Sequence, residues 1–381
     1  MPFGSTRMPL GDLGYRAWNG RTAARGTAWV VIAWTGIVLA WQSMWLRRLL
    51  FLAWGPTVVA GTCFFGFERL VEDGKLTPQV VSSTLIRRLP KAEALLEAMK
   101  PDPSQKEVGI AKSRRTVWAW ILMMFMRSPQ AILLVVLVGV VAPPLVSRDL
   151  GARAHLVYFT RPISRWEYIL GKSMVVSAYV SGITLVPALV LWVLGVLLSP
   201  SIAVIWTTWD MPLRIIAASM VLLVPTTLLS LALSSLSHQP RWATFAWFSV
   251  WSLGWIAHGA FIQAAATSSF NQPIASEQVA DMLAPLDSFL DSQQFDHPDM
   301  LGPGGLGGGL NQRTNQQLLD AMLSDRFAPV SMFHTLGVVQ AWVFGLEDDL
   351  SRVWPSMVML SLVSIVSACV LLNRVTAPLR A

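Results

Sequence analysis

Residues 173 to 198 read SMVVSAYVSGITLVPALVLWVLGVLL, a run from Ser173 to Leu198 without one charged side chain. A helix rises ~1.5 Å per residue, so roughly 20 apolar residues cross a hydrocarbon core ~30 Å thick, and this run is long enough to do so. Working outward, comparable charge-free runs occupy Gly26 to Leu46, Leu49 to Phe67, Ser128 to Ser147, Ile215 to Leu236, Trp242 to Ala265 and Val353 to Asn373. Hydropathy alone therefore counts seven runs. The composition agrees: 54% of the 381 residues are hydrophobic and 13% charged, where a water-soluble chain carries about 25% charged residues. The 18 Trp against 4 Tyr fit a chain with long stretches in or beside hydrocarbon. These numbers exclude a set of soluble domains and predict an all-α polytopic membrane protein.

Charge distribution orients the runs, because short loops rich in Lys and Arg stay on the cytoplasmic side. Residues 148–172 carry Arg148, Arg153, Arg161, Arg165 and Lys172 against Asp149 and Glu167, a net of +3. His238 to Arg241 and the tail 374–381, with Arg374 and Arg380, fall on the same side by parity. The opposite side receives residues 266–350, net −9, where acids such as Asp287, Asp296 and Glu347 face only Arg313 and Arg326. The basic N-terminus, with Arg7, Arg16, Arg21 and Arg25 against Asp12, obeys the same rule if Gly26 to Leu46 lies in the interface as an elbow helix instead of spanning. Trp29, Trp34, Trp41 and Trp45 suit that position, and Arg47 and Arg48 then mark the mouth of the first span.

The resulting plan is a cytoplasmic N-terminus and elbow at 1–48, spans at 49–67, 128–147, 173–198, 215–236, 242–265 and 353–373, and cytoplasmic loop and tail at 148–172 and 374–381. Residues 68–127 and 266–350 form extracytoplasmic segments. The first contains an interfacial or re-entrant helix near Val117 to Met126. The second contains helical patterns at Glu277 to Leu290 and Thr314 to Leu323 around a flexible Gly-rich stretch, Leu301 to Leu310. Both termini are expected inside a plasma (inner) membrane, and the N-terminal sequence lacks the pattern of a cleaved signal peptide. The excess of seven positive charges has a membrane explanation and needs no nucleic-acid partner.

Few residues offer chemistry of their own. Cys63 and Cys369 lie in apolar runs and supply neither a disulfide framework nor a metal cluster. The five histidines show no HExxH or paired-ligand spacing, and no GxSxG exists. The chain has no GxxxxGK[ST] phosphate loop: Gly171-Lys172-Ser173 is a partial match, with Trp166 where the first glycine is needed. His258, a histidine within a span, and Pro225 followed by Thr226 and Thr227 are candidates to line a pathway. The same residues also suit a packed histidine and a helix bend repaired by its neighbours.

The densest stretch is SRDLGARAHLVYFTRPISRWEYILGKS, residues 147–173. Several basic groups, the rigid Pro162 and the aromatics Tyr158, Phe159, Trp166 and Tyr168 suit a short helix on the membrane face that docks onto another protein. They suit equally a basic turn anchored on anionic lipid. Within it, Thr160-Arg161-Pro162-Ile163-Ser164-Arg165 and Glu167-Tyr168-Ile169-Leu170-Gly171-Lys172 closely resemble the signature of ATP-binding-cassette (ABC) permeases of the type 2, exporter-like class. Asp149 takes that family's acidic position at the end of the second span. The external segments are longer than the compact form of the family.

The resemblance implies a permease subunit coupling ATP hydrolysis on a separate ATPase, which would hold ATP and Mg, to translocation. This chain itself would carry no cofactor. Asp149, Arg161, Pro162, Arg165, Glu167, Gly171 and Lys172 become the expected coupling residues. Expected partners are the ABC ATPase, a second permease in a homodimer or related pair, membrane lipids and an extracytoplasmic partner. A non-transporting membrane anchor or assembly subunit and a polytopic membrane enzyme are the alternatives from other classes.

Overall fold

Apolar runs bounded by charge, glycine or proline become helices throughout the structure, a computed structural model that describes residues 27–73, 106–127, 129–152, 163–202, 204–270 and 327–376. Six segments are long and apolar enough to cross a membrane: Met44–Glu72, Ile132–Gly151, Arg165–Leu198, Met211–Leu236, Pro240–Ala265 and Leu350–Val375. Each of the six expected spans overlaps one of them, and no strand occurs among the described residues. The protein is an all-α polytopic membrane protein. The Gly-rich stretch and the flanking patterns at 277–290 and 314–323 lie outside the described residues.

The first three helices are α1 (Ala28–Trp41), α2 (Met44–Ala53) and α3 (Gly55–Glu72). Next come α4 (Lys106–Arg127), α5 (Pro129–Val141) and α6 (Pro143–Gly151). They are followed by α7 (Arg165–Ile183), α8 (Leu185–Leu198), the single turn α9 (Val204–Thr207), α10 (Met211–Leu236) and α11 (Pro240–Phe270). A 3-10 turn at Ala328–Val330 then leads into α12 (Met332–Val343) and α13 (Leu350–Thr376).

Two spans are broken. Pro143 and Pro144 have no N–H to continue the α5 ladder, so the helix restarts as α6. Ser234 of α10 repairs this break. Its hydroxyl accepts the first-turn amides of Val146 and Ser147 at 3.3 and 3.1 Å and donates to Pro143 O at 2.6 Å. The second break is at Thr184, between α7 and α8, where φ is −114° and ψ −64° and Pro187 follows in the first turn of α8.

α1 is 14 residues long, about 21 Å, too short to cross the membrane alone. It runs alongside α7 in the same direction: Ile32 meets Gly171, Gly36 meets Val175, and the Tyr179 hydroxyl donates to Ile37 O at 2.6 Å. Small residues permit this approach. A Cβ at Gly171 would stand 2.8 Å from Ile32 Cβ and 3.0 Å from Trp29 O. Gly171→Leu is therefore expected to push α1 off α7 at a cost of about 1–3 kcal/mol. Thermal unfolding of the purified protein checks this, with Gly66→Leu, whose Cβ would meet nothing within 4 Å, as the variant that leaves the melting temperature unchanged.

At the far end of α7–α8 the bundle is fastened by two polar clusters. The Glu68 carboxylate of α3 accepts from Arg114 Nε and Nη2, both at 3.0 Å, and from Trp118 Nε1 at 2.9 Å. Glu68 is 2% exposed and Trp118 fully buried, its ring edge-on to Phe64. The expected interfacial stretch Val117 to Met126 is thus the packed half of α4, with Trp118, Leu122 and Met126 buried in one core with Phe64, Leu191 and Ile215. In the second cluster, Asp210 Oδ2 accepts from Arg214 Nε at 2.6 Å and pairs with Arg115, while Arg214 Nη1 donates to Val343 O at 2.8 Å. Arg214 lies against Gly345, whose φ of +73° closes α12: Leu346 N–H reaches Ala341 O and Gly345 N–H reaches Trp342 O, both at 2.9 Å.

Candidate coupling site

The chain leaves α6 at Gly151 and enters α7 at Arg165, so both ends of the basic segment are held by these helices. Asp149, in the last turn of α6, accepts from Lys172 Nζ at 2.8 Å and from the Tyr168 hydroxyl at 2.9 Å. Lys172 and Asp149 are largely buried, with side chains 13% and 17% exposed, and the ammonium also lies 5.6 Å from the centre of the Tyr168 ring. One carboxylate thereby clamps the descending and ascending helices across the loop.

The start of α7 is fixed by local chemistry. Ser164 Oγ accepts the Glu167 amide at 3.2 Å and Glu167 Oε2 accepts the Ser164 amide at 2.8 Å, a reciprocal capping box. The Ala28 backbone N–H at the head of α1 also faces Glu167, so α1 meets α7 at the capped end as well as along its length. Arg165 and Trp166 project outward, exposed, from this capped turn. Gly151 packs against the turn between α10 and α11: a Cβ there would stand 3.0 Å from His238 O.

Among the expected coupling residues, the structure brings together Asp149, Lys172 and, one turn away, Glu167. Gly171 serves the α1 crossing. Arg161 and Pro162 lie outside the described residues. Gly171-Lys172-Ser173 sits inside α7, not at a loop leading into a helix, and the lysine is engaged by Asp149.

The pathway candidates occupy the interior. Pro225, Thr226 and Thr227 are buried within α10. The Thr226 hydroxyl donates to Leu222 O at 2.6 Å in its own helix, whereas Thr227 Oγ1 has no hydrogen-bond partner among the described residues. His258 of α11, 4% exposed, stacks on His334 of α12 with ring centres 3.4 Å apart and planes 15° from parallel. Beside them Arg127, at the end of α4, lies on Gly337, where a Cβ would come within 2.5 Å of Nε. Sequence reasoning missed His334, Ser234 and the Glu68–Arg114–Trp118 cluster. An acid among Phe64, Phe67 and Val71 was a signal for the last; Ser234 and His334 carried none by spacing.

Residues 26–343, from the start of α1 to the end of α12, match the model of a family described as ABC-2 family transporter protein. The chain belongs to the ABC-2 transporter family. No curated protein and no solved structure matches it. Membership makes this ABC-2 chain the permease component of an ABC transporter, a membrane subunit and not its catalytic enzyme. The family match spans the Asp149–Lys172 clamp and both broken spans and ends before α13.

Proposed function

We propose that this permease is half of an ABC exporter of the plasma membrane, driven by a separate ATPase that docks on the cytoplasmic loop within residues 148–172. Both termini share that side, and two permeases pair to match two ATPases. The observation that carries this reading is the Asp149–Lys172–Tyr168 clamp. A docking loop transmits force only if its two feet move together, and one carboxylate ties the feet at the membrane.

Displacement of the loop moves α6 and α7 as a unit. α1 follows α7 through the Gly171 and Gly36 contacts, and α10 follows α6 through Ser234. The breaks at Pro143 and Thr184 lie above the clamp on the two adjacent spans. They let the lower helices swing while the Glu68 and Asp210 clusters keep the far ends together.

Arg161→Glu combined with Arg165→Glu tests the proposal. The double charge reversal is expected to leave membrane abundance unchanged and to reduce both ATPase retention in pull-down and ATP turnover of the complex. Each exposed pair is worth only ~0.2–1 kcal/mol, so the single changes are expected to be mild. Undiminished association and turnover in the double variant would refute the docking role. Sidedness is read from single cysteines at Ser5, Ser164 and Ser292 with Cys63 and Cys369 replaced. In intact cells an impermeant thiol reagent should label only the cysteine at 292.

A further inference from the structure

An apolar groove of about 510 Å³ opens between the end of α1, the end of α2 and the end of α7, with Ile37, Trp41, Phe51, Trp54, Tyr179 and Gly182 in its walls. That volume is in the range of small-molecule sites, ~300–1,000 Å³. The Tyr179 hydroxyl is already donated to Ile37 O, so this wall offers an apolar ring and a satisfied polar atom. The rim continues into the exposed apolar surface of α1 and α2, where Val38, Phe51 and Leu52 face outward. The groove therefore opens on hydrocarbon.

Arg47 and Arg48 do not line it but lie in α2 about one turn before its wall residues Leu50 and Phe51. Arg47 precedes Leu50 and Phe51 by three and four residues and shares their face of α2. The Arg48 guanidinium lies 5.6 Å from the centre of the Trp45 ring. Neither arginine has a salt-bridge partner among the described residues, and residues 26–67 contain no Asp or Glu. Two strong cations beside an apolar slot ask for a ligand with an anionic head and a long hydrocarbon tail.

Charge also argues against other occupants. The chain's own segment 1–25 carries Arg7, Arg16, Arg21 and Arg25 against Asp12, and would bring like charge to like. A second copy meeting this face about a two-fold axis would oppose the same arginines with no carboxylate between them. We propose that the groove is a binding site for an anionic phospholipid, its acyl chain lying between α1, α2 and α7 and its phosphate held by Arg47 and Arg48.

The experiment uses the full chain in nanodiscs of phosphatidylcholine carrying a trace of photoactivatable lipid, with a diazirine on the acyl chain and either a phosphatidylglycerol or a phosphatidylcholine head. Cross-linked peptides are then mapped. Phosphatidylglycerol should label residues 37–54 and 178–182 in preference to the exposed faces of α11 and α13, and more strongly than phosphatidylcholine does. Arg47→Gln and Arg48→Gln should each lower its labelling about fivefold, and the pair should erase the preference between heads.

Gly182→Phe should remove labelling by both lipids with an unchanged melting temperature, because a Cβ at Gly182 meets no atom within 4 Å and the ring enters the groove without displacing protein. Labelling spread evenly over the apolar surface, or insensitive to Gly182→Phe, would overturn the site. Equal labelling by the two heads would overturn the role of the arginines. Cross-links joining two copies through residues 37–54 would replace the lipid with a dimer interface.

Discussion

Glu68→Ala should unfold the permease at a markedly lower temperature than any surface substitution, with a loss of about 3–5 kcal/mol. Removing the carboxylate strands the Arg114 guanidinium, its side chain 11% exposed, and the Trp118 N–H, both of which have Glu68 as acceptor. The damage comes from the orphaned charge more than from the lost attraction. Replacing both partners, Glu68→Leu with Arg114→Leu, is therefore expected to cost less than Glu68→Ala alone. Thermal unfolding of the three variants in one detergent decides it; a double variant worse than the single would mean that the pair contributes as a net attraction.

Asp149→Ala should separate folding from function. The variant removes the carboxylate that accepts from the Lys172 ammonium and the Tyr168 hydroxyl at the loop's feet, a loss of about 1.5–3 kcal/mol for hydrogen bonds to a charged group. Membrane abundance should stay near that of the unchanged protein while ATP turnover of the complex no longer responds to the permease. Lys172→Met should reproduce the uncoupling, and the double variant should be no worse than either single one, since both break the same clamp. Additive losses in Asp149→Ala with Lys172→Met, or normal coupling in Asp149→Ala, would remove the clamp from the mechanism.

The spans were legible because the bilayer imposes a length: a run such as Ser173 to Leu198 has little choice but to cross. Gly26 to Leu46 shows where run length misleads. It holds enough apolar residues for a span, yet the helix ends at Trp41, and Ser43 accepts the Leu46 amide to start a new one. That polar Gln42-Ser43 pair was the readable sign of a turn. The alignment of α1 with α7 was not readable, because it depends on Gly36 and Gly171 meeting across the fold.

The region proposed for coupling was visible as composition and as a family signature, including Asp149. The capping box at Ser164 and Glu167 is local and could have been read from spacing. The Asp149–Lys172 pairing could not, since it needs α6 and α7 side by side. Glu68 and Arg114 lie 46 residues apart and reveal each other only in three dimensions. His258 was singled out as an ionisable group in a span, but its partner His334 stands in a short helix behind the long acidic segment.

The docking of α1 on α7 also sets a schedule for assembly. Tyr179 follows Ile37 by 142 residues, and a ribosome adding ~5–20 residues per second takes roughly 7–28 s to deliver one after the other. During that interval the nascent chain holds a helix too short to anchor itself across the bilayer, whose eventual neighbour has not been made. Its glycine face must wait in lipid or on an insertase. A ribosome that stalls before α7 therefore leaves a recognisably unfinished product, with α1 still undocked and open to the proteases that survey membrane insertion.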